Sequence, residues 1–325
     1  MPRAGKKAGG RGKKQRFKGF QALLDSSLKL HRDPATGLRG QLIAIDQGKT
    51  ADGRGAAGLV IVPGTAQAVP ANGFAPIKAE EQAVLESRAR VIEASAGSFI
   101  FWDESTVHSN AGPDHALQTV GEATLPLAEA LLDPGRVRTF VHERGYCVVT
   151  GLLGPEECAA MIEAAKTAVR ASCAREGAAF KGPGGNGLWK HNGVSTHEDL
   201  RPFSVHPNVV ALWRGVLGAE QICFSPDALA FMAERNETGG HDVDRPTRVT
   251  QILCYGRASD QLVGTGAKKL AYYRQGGSCN HPPCVLSKGG SGRHYSDRLN
   301  EWTAQVPTFG KDPGVDARFI ELLGP

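Results

Sequence analysis

GSFIFWDESTVHSN, residues 97–110, is the stretch on which the fold turns. Its centre, Phe99 to Trp102, is an apolar strand, and a His at 108 stands just beyond it. RVIEASAGSFIFW (90–102) places a second short apolar stretch before it, with a turn expected at Ala96-Gly97. Further upstream, GLRGQLIAID (37–46) and AAGLVIVPG (56–64) repeat the pattern around the polar turn QGKTADGRG. The first hundred or so residues therefore read as an antiparallel sheet fragment with few helices.

The character changes near residue 125. LPLAEALL and VRTFVHERG are helical in pattern, and GYCVVTG is a strand. Pro155 opens a helix whose Cys158, Met161, Ile162, Ala165 and Val169 share one face. KGPGGNG (181–187) is a loop, and HPNVVALWRGVLG (206–218) is a second amphipathic helix with Val209, Val210, Trp213 and Leu217 inward. RVTQILCYG (248–256) is again a strand. No internal repeat, Walker loop or nucleophile elbow is present, and GTGAKK (264–269) lacks Walker spacing.

Composition agrees with a strand-rich fold. The 325 residues include 41 Gly and 19 Pro, punctuation that favours short strands and turns. With 41% hydrophobic and 22% charged residues, the chain is neither collagen-like, coiled-coil nor wholly disordered. Eight of the first eighteen residues are Lys or Arg with no acid among them, so the net charge of +5 belongs to a basic tail. That tail is expected to be disordered, with a nuclear address or a weak nucleic-acid contact through residues 1–18 as the alternatives. No run is long and apolar enough for a membrane span and no secretory signal is visible, so a cytoplasmic or nuclear location is expected. Seven scattered cysteines fit reduced thiols. Cys279-Asn-His281-Pro-Pro-Cys284 lacks the second ligand pair that zinc would want.

The chemistry-bearing residues begin with Leu30-His31-Arg32-Asp33. In an extended chain alternate side chains share a face, so the His31 imidazole and the Asp33 carboxylate point at one ion. His108 supplies a third ligand. Two His and one carboxylate leave positions open on iron(II) for oxygen and a bidentate keto acid. His241, in GGHDVDRP, is a competing candidate that reads as a loop His.

These segments resemble the phytanoyl-CoA dioxygenase-like branch of the iron(II) and 2-oxoglutarate-dependent oxygenases. The resemblance lies in LHRD, in GLVIVPGT (58–65) and in AGSFIFWDESTVHSNAGP (96–113). It implies a mainly β fold with flanking helices (α+β), a double-stranded β-helix or jelly roll, with residues 125–220 packed outside as helices. It also implies Fe(II) held by His31, Asp33 and His108, with 2-oxoglutarate as cosubstrate. Such an enzyme uses molecular oxygen to hydroxylate a small organic or lipid-like substrate, with succinate and carbon dioxide as coproducts.

The family's Arg shortly after the distal His is missing, for no Lys or Arg occurs between His108 and Gly135. DRPTRVTQILCY (244–255) resembles that missing strand, with Arg248 in the carboxylate-binding place and Thr250 assisting. It is expected to lie beside the strand that ends at His108. FVHERGYCVVTGLLGPEECAAMIEAA (140–165) and HPNVVALWRGVLGAEQICFSPDALAFM (206–232) resemble the part that normally comes first, so the order is permuted or incomplete. The expected layout is a disordered tail over 1–19 and one jelly-roll oxygenase-like domain over 20–325. Its parts are a metal-binding core segment (20–118), a helical opening segment (125–235) and a 2-oxoglutarate strand with C-terminal segment (240–325). The rival expectation is a catalytically inactive jelly-roll interaction protein whose basic tail contacts nucleic acid.

Overall fold

The computed structural model describes residues 38–46, 48–49, 55–56, 59–62, 85, 87–103, 106, 108–110, 119–120, 122–176, 187–189, 194–195, 197–235, 241–260, 270 and 322. The strands of the first segment are β1 (Leu38–Asp46), β2 (Gly48–Lys49), β3 (Gly55–Ala56), β4 (Leu59–Ile61), β5 (Arg90–Ile92), β6 (Phe99–Asp103), β7 (His108–Asn110), β8 (Thr119–Val120) and β9 (Thr124–Pro126). Next come α1 (Leu127–Leu132), α2 (Pro134–Arg144), β10 (Tyr146–Thr150), α3 (Pro155–Glu176), β11 (Leu188–Trp189), α4 (Arg201–Ser204) and α5 (Pro207–Leu217). Two long strands, β12 (Ile222–Arg235) and β13 (His241–Arg257), complete the main sheet.

The main sheet has seven strands in the order β11-β12-β13-β1-β6-β10-β9, antiparallel except where β9 runs parallel to β10. A second sheet has the order β7-β4-β5-β8, and β2 and β3 form a small separate pair. The architecture is thus a mixed open sheet with flanking helices, an α+β arrangement.

Strand alternation divides the main sheet into two apolar faces. On one, Leu42, Phe99, Phe101, Cys147, Val149, Phe231, Val249 and Leu253 pack against Val137, Met161, Ala165, Val209 and Trp213 of the helices. On the other, Ile43, Ile100, Trp102, Tyr146 and Val148 form a smaller cluster with Ile61 and Ile92 of the second sheet. The helices therefore cover one side of the sheet, and β4 and β5 lie on the other.

Capping residues set the helix ends. Asp133 Oδ1 accepts from the Gly135 amide at 3.1 Å at the start of α2, Pro134 fills the first helical position, and Gly145 ends the helix at φ +84°. His206 Nδ1 accepts from the Asn208 amide at the start of α5, which ends at Gly218 with φ +61°. The inward residues of both amphipathic helices are as the 3.6-residue period requires: Met161, Ala165, Val169, Val209 and Trp213 are fully buried.

The first segment departs from the single sheet fragment expected of it. The Ala96-Gly97 turn exists, with Gly97 at φ +78°, but it carries the chain from β5 in the second sheet to β6 in the main sheet. β1 and β4 are divided between the sheets in the same way, because each sequence pair offers buried residues to two different apolar clusters. Across QGKTADGRG (47–55), Gly48 pairs with Ala56, just beyond the segment, and Lys49 with Gly55. LPLAEALL begins as strand, since Leu125 and Pro126 pair with β10, and only Leu127 onward is helical.

Candidate functional site

The site is built on β13. Its odd-numbered residues face the helices: Val249, Leu253 and Tyr255 join the larger cluster. Gln251 Nε2 donates to Ser204 Oγ at 2.9 Å, and the Tyr255 hydroxyl donates to the Ser204 carbonyl. Alternation therefore turns Arg248, Thr250 and Ile252 to the opposite face, and Ile252 packs against the smaller cluster.

Both polar residues on that face are buried, Arg248 to 5% exposure and Thr250 to 0%. Thr250 pairs in register with Ile43, a member of the cluster shared with the second sheet. From β1, Gln41 Nε2 donates to Thr250 Oγ1 at 2.7 Å. Arg248 pairs in register with Met232 on β12 and with Asp46 on β1. Its Nη1 reaches the Met232 sulfur at 3.5 Å, and the residue is engaged beyond that contact. Arg245, three residues earlier, is 70% exposed at its side chain and pairs with Glu234 and Asp242 at the surface.

The arrangement is a guanidinium and a hydroxyl side by side on one buried strand face. A buried cation is costly unless paired, and a guanidinium is shaped to meet a carboxylate through two parallel hydrogen bonds. On β10, separated from β13 by β1 and β6, burial also governs two titratable groups, Tyr146 on this face and Cys147 on the helix face. Burial pushes the Tyr146 hydroxyl up to about 12, against a smaller opposing effect of its hydrogen bond with the Ala123 backbone. Burial likewise pushes the Cys147 thiol up to about 12. Both are neutral at physiological pH.

Arg248 and Thr250 share a face as expected, but their strand does not lie beside the one leading to His108. β1 stands between β13 and β6, held to β13 from Gly40↔Leu253 to Asp46↔Arg248. His108 opens β7 and pairs in register with Ile61. His31, Asp33 and the imidazole of His108 lie outside the described residues, as do the side chain of His241, the basic tail, GTGAKK and the Cys279, His281, Cys284 cluster. Among the described residues, no group of three or more His, Cys, Asp or Glu is placed to hold a metal ion. Among the described residues, no helix is long and apolar enough to cross a membrane.

Gln41 is the residue that reading the sequence did not single out. Its signal was the amide in GLRGQLIAID, next to the apolar run Leu42 to Ile45 and at an alternating position shared with Ile43. Searches against protein-family models, curated proteins and solved structures return no match for this chain.

Proposed function

We propose that the protein is an Fe(II)- and 2-oxoglutarate-dependent dioxygenase of the phytanoyl-CoA dioxygenase-like type, hydroxylating a small organic or lipid-like molecule on a permuted jelly roll. The observation that carries this reading is the burial of Arg248 and Thr250 on one face of β13, turned toward the second sheet. A dicarboxylate entering such a site gives up its hydration, so its far end needs a cation and donors already in place. Arg248 supplies the planar fork and Thr250 a hydroxyl. The residues thus fit a carboxylate-bearing cosubstrate.

For iron, the donor set His31, Asp33 and His108 has the chemistry of a facial triad, which leaves room for a keto acid and oxygen. When bound, iron with 2-oxoglutarate supplies the oxidising power needed to functionalise a C–H bond. The chain's own residues hold and orient the cosubstrate and keep the site dry: Arg248 and Thr250 bind its far carboxylate, and Ile43, Ile252 and the cluster around them exclude water.

The test compares two arginines on one strand. Arg248→Met should leave iron binding intact and raise the 2-oxoglutarate requirement for succinate formation at least tenfold, the loss expected of a charged hydrogen-bond partner. Arg245→Met, at the exposed position, should change neither. If Arg248 serves only to hold the sheet together, the first variant loses stability with unchanged keto-acid dependence. Iron stoichiometry is the second arm. Asp33→Ala should abolish it, and a parent protein that takes up no iron would point instead to the inactive interaction protein.

A further inference from the structure

We infer that the His206 imidazole is a proton-operated latch: neutral, it clamps the first turn of α5 to α3, and on protonation it releases the start of that helix. The inference stands apart from the dioxygenase reading, because it involves no ligand.

Pro207 has no amide proton, so the Asn208 amide is the first donor of α5 that needs an acceptor. Helix starts commonly meet this need with a side-chain oxygen of Ser, Thr, Asp or Asn, which goes on accepting throughout the physiological pH range. Here the acceptor is a ring nitrogen, His206 Nδ1, 3.3 Å from the Asn208 nitrogen. A nitrogen that accepts carries no proton, so the neutral ring keeps its proton on Nε2 and donates it to Glu157 Oε1 at 3.0 Å. Each side of the ring is thus engaged by a different helix. The helix that it starts carries Val209, Val210 and Trp213 into the larger cluster.

A second proton has to go to Nδ1. The ring then has two donors, its new N–H faces the Asn208 N–H, and its charge lies at the positive end of the helix dipole. Among the described residues, the ionisable group that meets the ring is Glu157 of α3. The turn 152–154 contributes backbone groups, α4 contributes the Phe203 carbonyl, and the first turn of α5 carries no acid. The Gly154 amide first, and His206 second, hold the Glu157 carboxyl below its ordinary 4.5, so it is ionised where histidines titrate. Glu157 is half-exposed and already accepts the Nε2 proton, so the added charge strengthens that contact little. The lost cap decides the direction: acid loosens the start of α5 while the Glu157 contact persists.

His197 provides the contrast. Its Nδ1 likewise accepts from the Asp199 amide, at 3.4 Å, where the single turn Glu198–Leu200 begins. There the Asp199 carboxylate lies 3.6 Å from the same nitrogen and can accept from a newly bound proton. Among the described residues, His206 has no carboxylate on its Nδ1 side, so protonation leaves that side with nothing to bind.

The test follows the full chain, labelled with heavy nitrogen, from about pH 8 to about pH 5. Imidazole nitrogen shifts should show His206 with Nδ1 bare and Nε2 protonated at the alkaline end. Amide exchange, corrected for its intrinsic pH dependence, should show protection of Asn208 and Val210 falling about fivefold on acidification, the effect of one lost cap. The amides of β10 should hold theirs. His206→Asn keeps an acceptor that does not titrate and should remove the pH dependence, whereas His206→Ala should leave both amides poorly protected at either end. The latch is overturned by a proton on Nδ1 at the alkaline end, by protection that holds or rises in acid, or by a fall that persists in His206→Asn. A parallel fall in β10 would mark general unfolding and overturn it too. Should His206→Asn fail to fold, the ring shifts and exchange of the parent chain decide by themselves.

Discussion

Tyr146 and Cys147 carry a titration signature set by burial. Each has a folded-state value of about 12 against ordinary values of 10.0 and 9.0. The folded chain therefore holds these protons where the unfolded chain would release them, so the stability they lend is present below pH 9 and is lost as pH rises toward 12. Denaturant melts over pH 8 to 11 should show this decline, and Cys147→Ala should make it shallower. Thiol labelling of the native protein should spare Cys147, which is fully buried and neutral. Gly97 is a second residue with a sharp requirement: at φ +78°, a Cβ there would lie 2.3 Å from the Leu153 carbonyl oxygen. Gly97→Ala should cost more than about 2 kcal/mol in unfolding free energy, through both the backbone conformation and the clash. At this scale the sequence was informative where a local rule applied. Alternation alone put Arg248 and Thr250 on one face, and the turn at Gly97 followed from its neighbours. The Gln41–Thr250 hydrogen bond was not legible, because it depends on which strand lies beside β1.

Among the elements, the start of α3 is tied to the start of α5 by one carboxylate. Glu157 Oε2 accepts from the Gly154 amide at 2.8 Å, and its Oε1 lies 3.0 Å from Nε2 of His206, the residue that caps α5. The Asn208 side chain reinforces the junction by donating to the Leu152 carbonyl at 3.0 Å. The Gly154 amide first, and His206 second, hold the Glu157 carboxyl below its ordinary 4.5. The stability this contributes is present above that value and lost as pH falls through the lower folded one. Glu157 is half-exposed, so screening limits the pair: Glu157→Gln should cost about 0.5–1 kcal/mol at neutral pH and flatten the acid limb of the stability profile. The start of α3 at Pro155 was readable because a helix start is a local matter between neighbouring residues. Strand partners were not. β5 and β6 read as one hairpin, yet they belong to different sheets, since an apolar strand specifies a buried face and not the strand that will lie against it.

The whole molecule is held across its helix layer by aromatic contacts that link four elements. Phe101 of β6 meets Trp213 of α5 with ring centroids 4.8 Å apart, Trp213 meets Tyr255 of β13 at 5.3 Å, and Tyr255 stacks on Phe224 of β12 at 5.5 Å. Trp213 is fully buried, so Trp213→Ala should cost about 3–5 kcal/mol and lower cooperativity, while Trp213→Phe should cost less. Chemical denaturation followed by far-ultraviolet circular dichroism measures both. The α+β class was legible in the change of pattern near residue 125, whereas the seven-strand order was not, because it joins segments far apart in the chain. That remoteness has a consequence for biosynthesis. Gln41 and Thr250 stand in contact across 209 positions, and β1 cannot gain its β13 partner until the ribosome has made the latter. At about 5–20 residues per second the nascent chain waits on the order of 10–40 s with that edge of β1 unpaired. The central strand of the finished sheet is thus, for that interval, an exposed apolar edge. Chaperone dependence and aggregation during expression should be most acute in chains halted before residue 241 and should fall once β13 is complete.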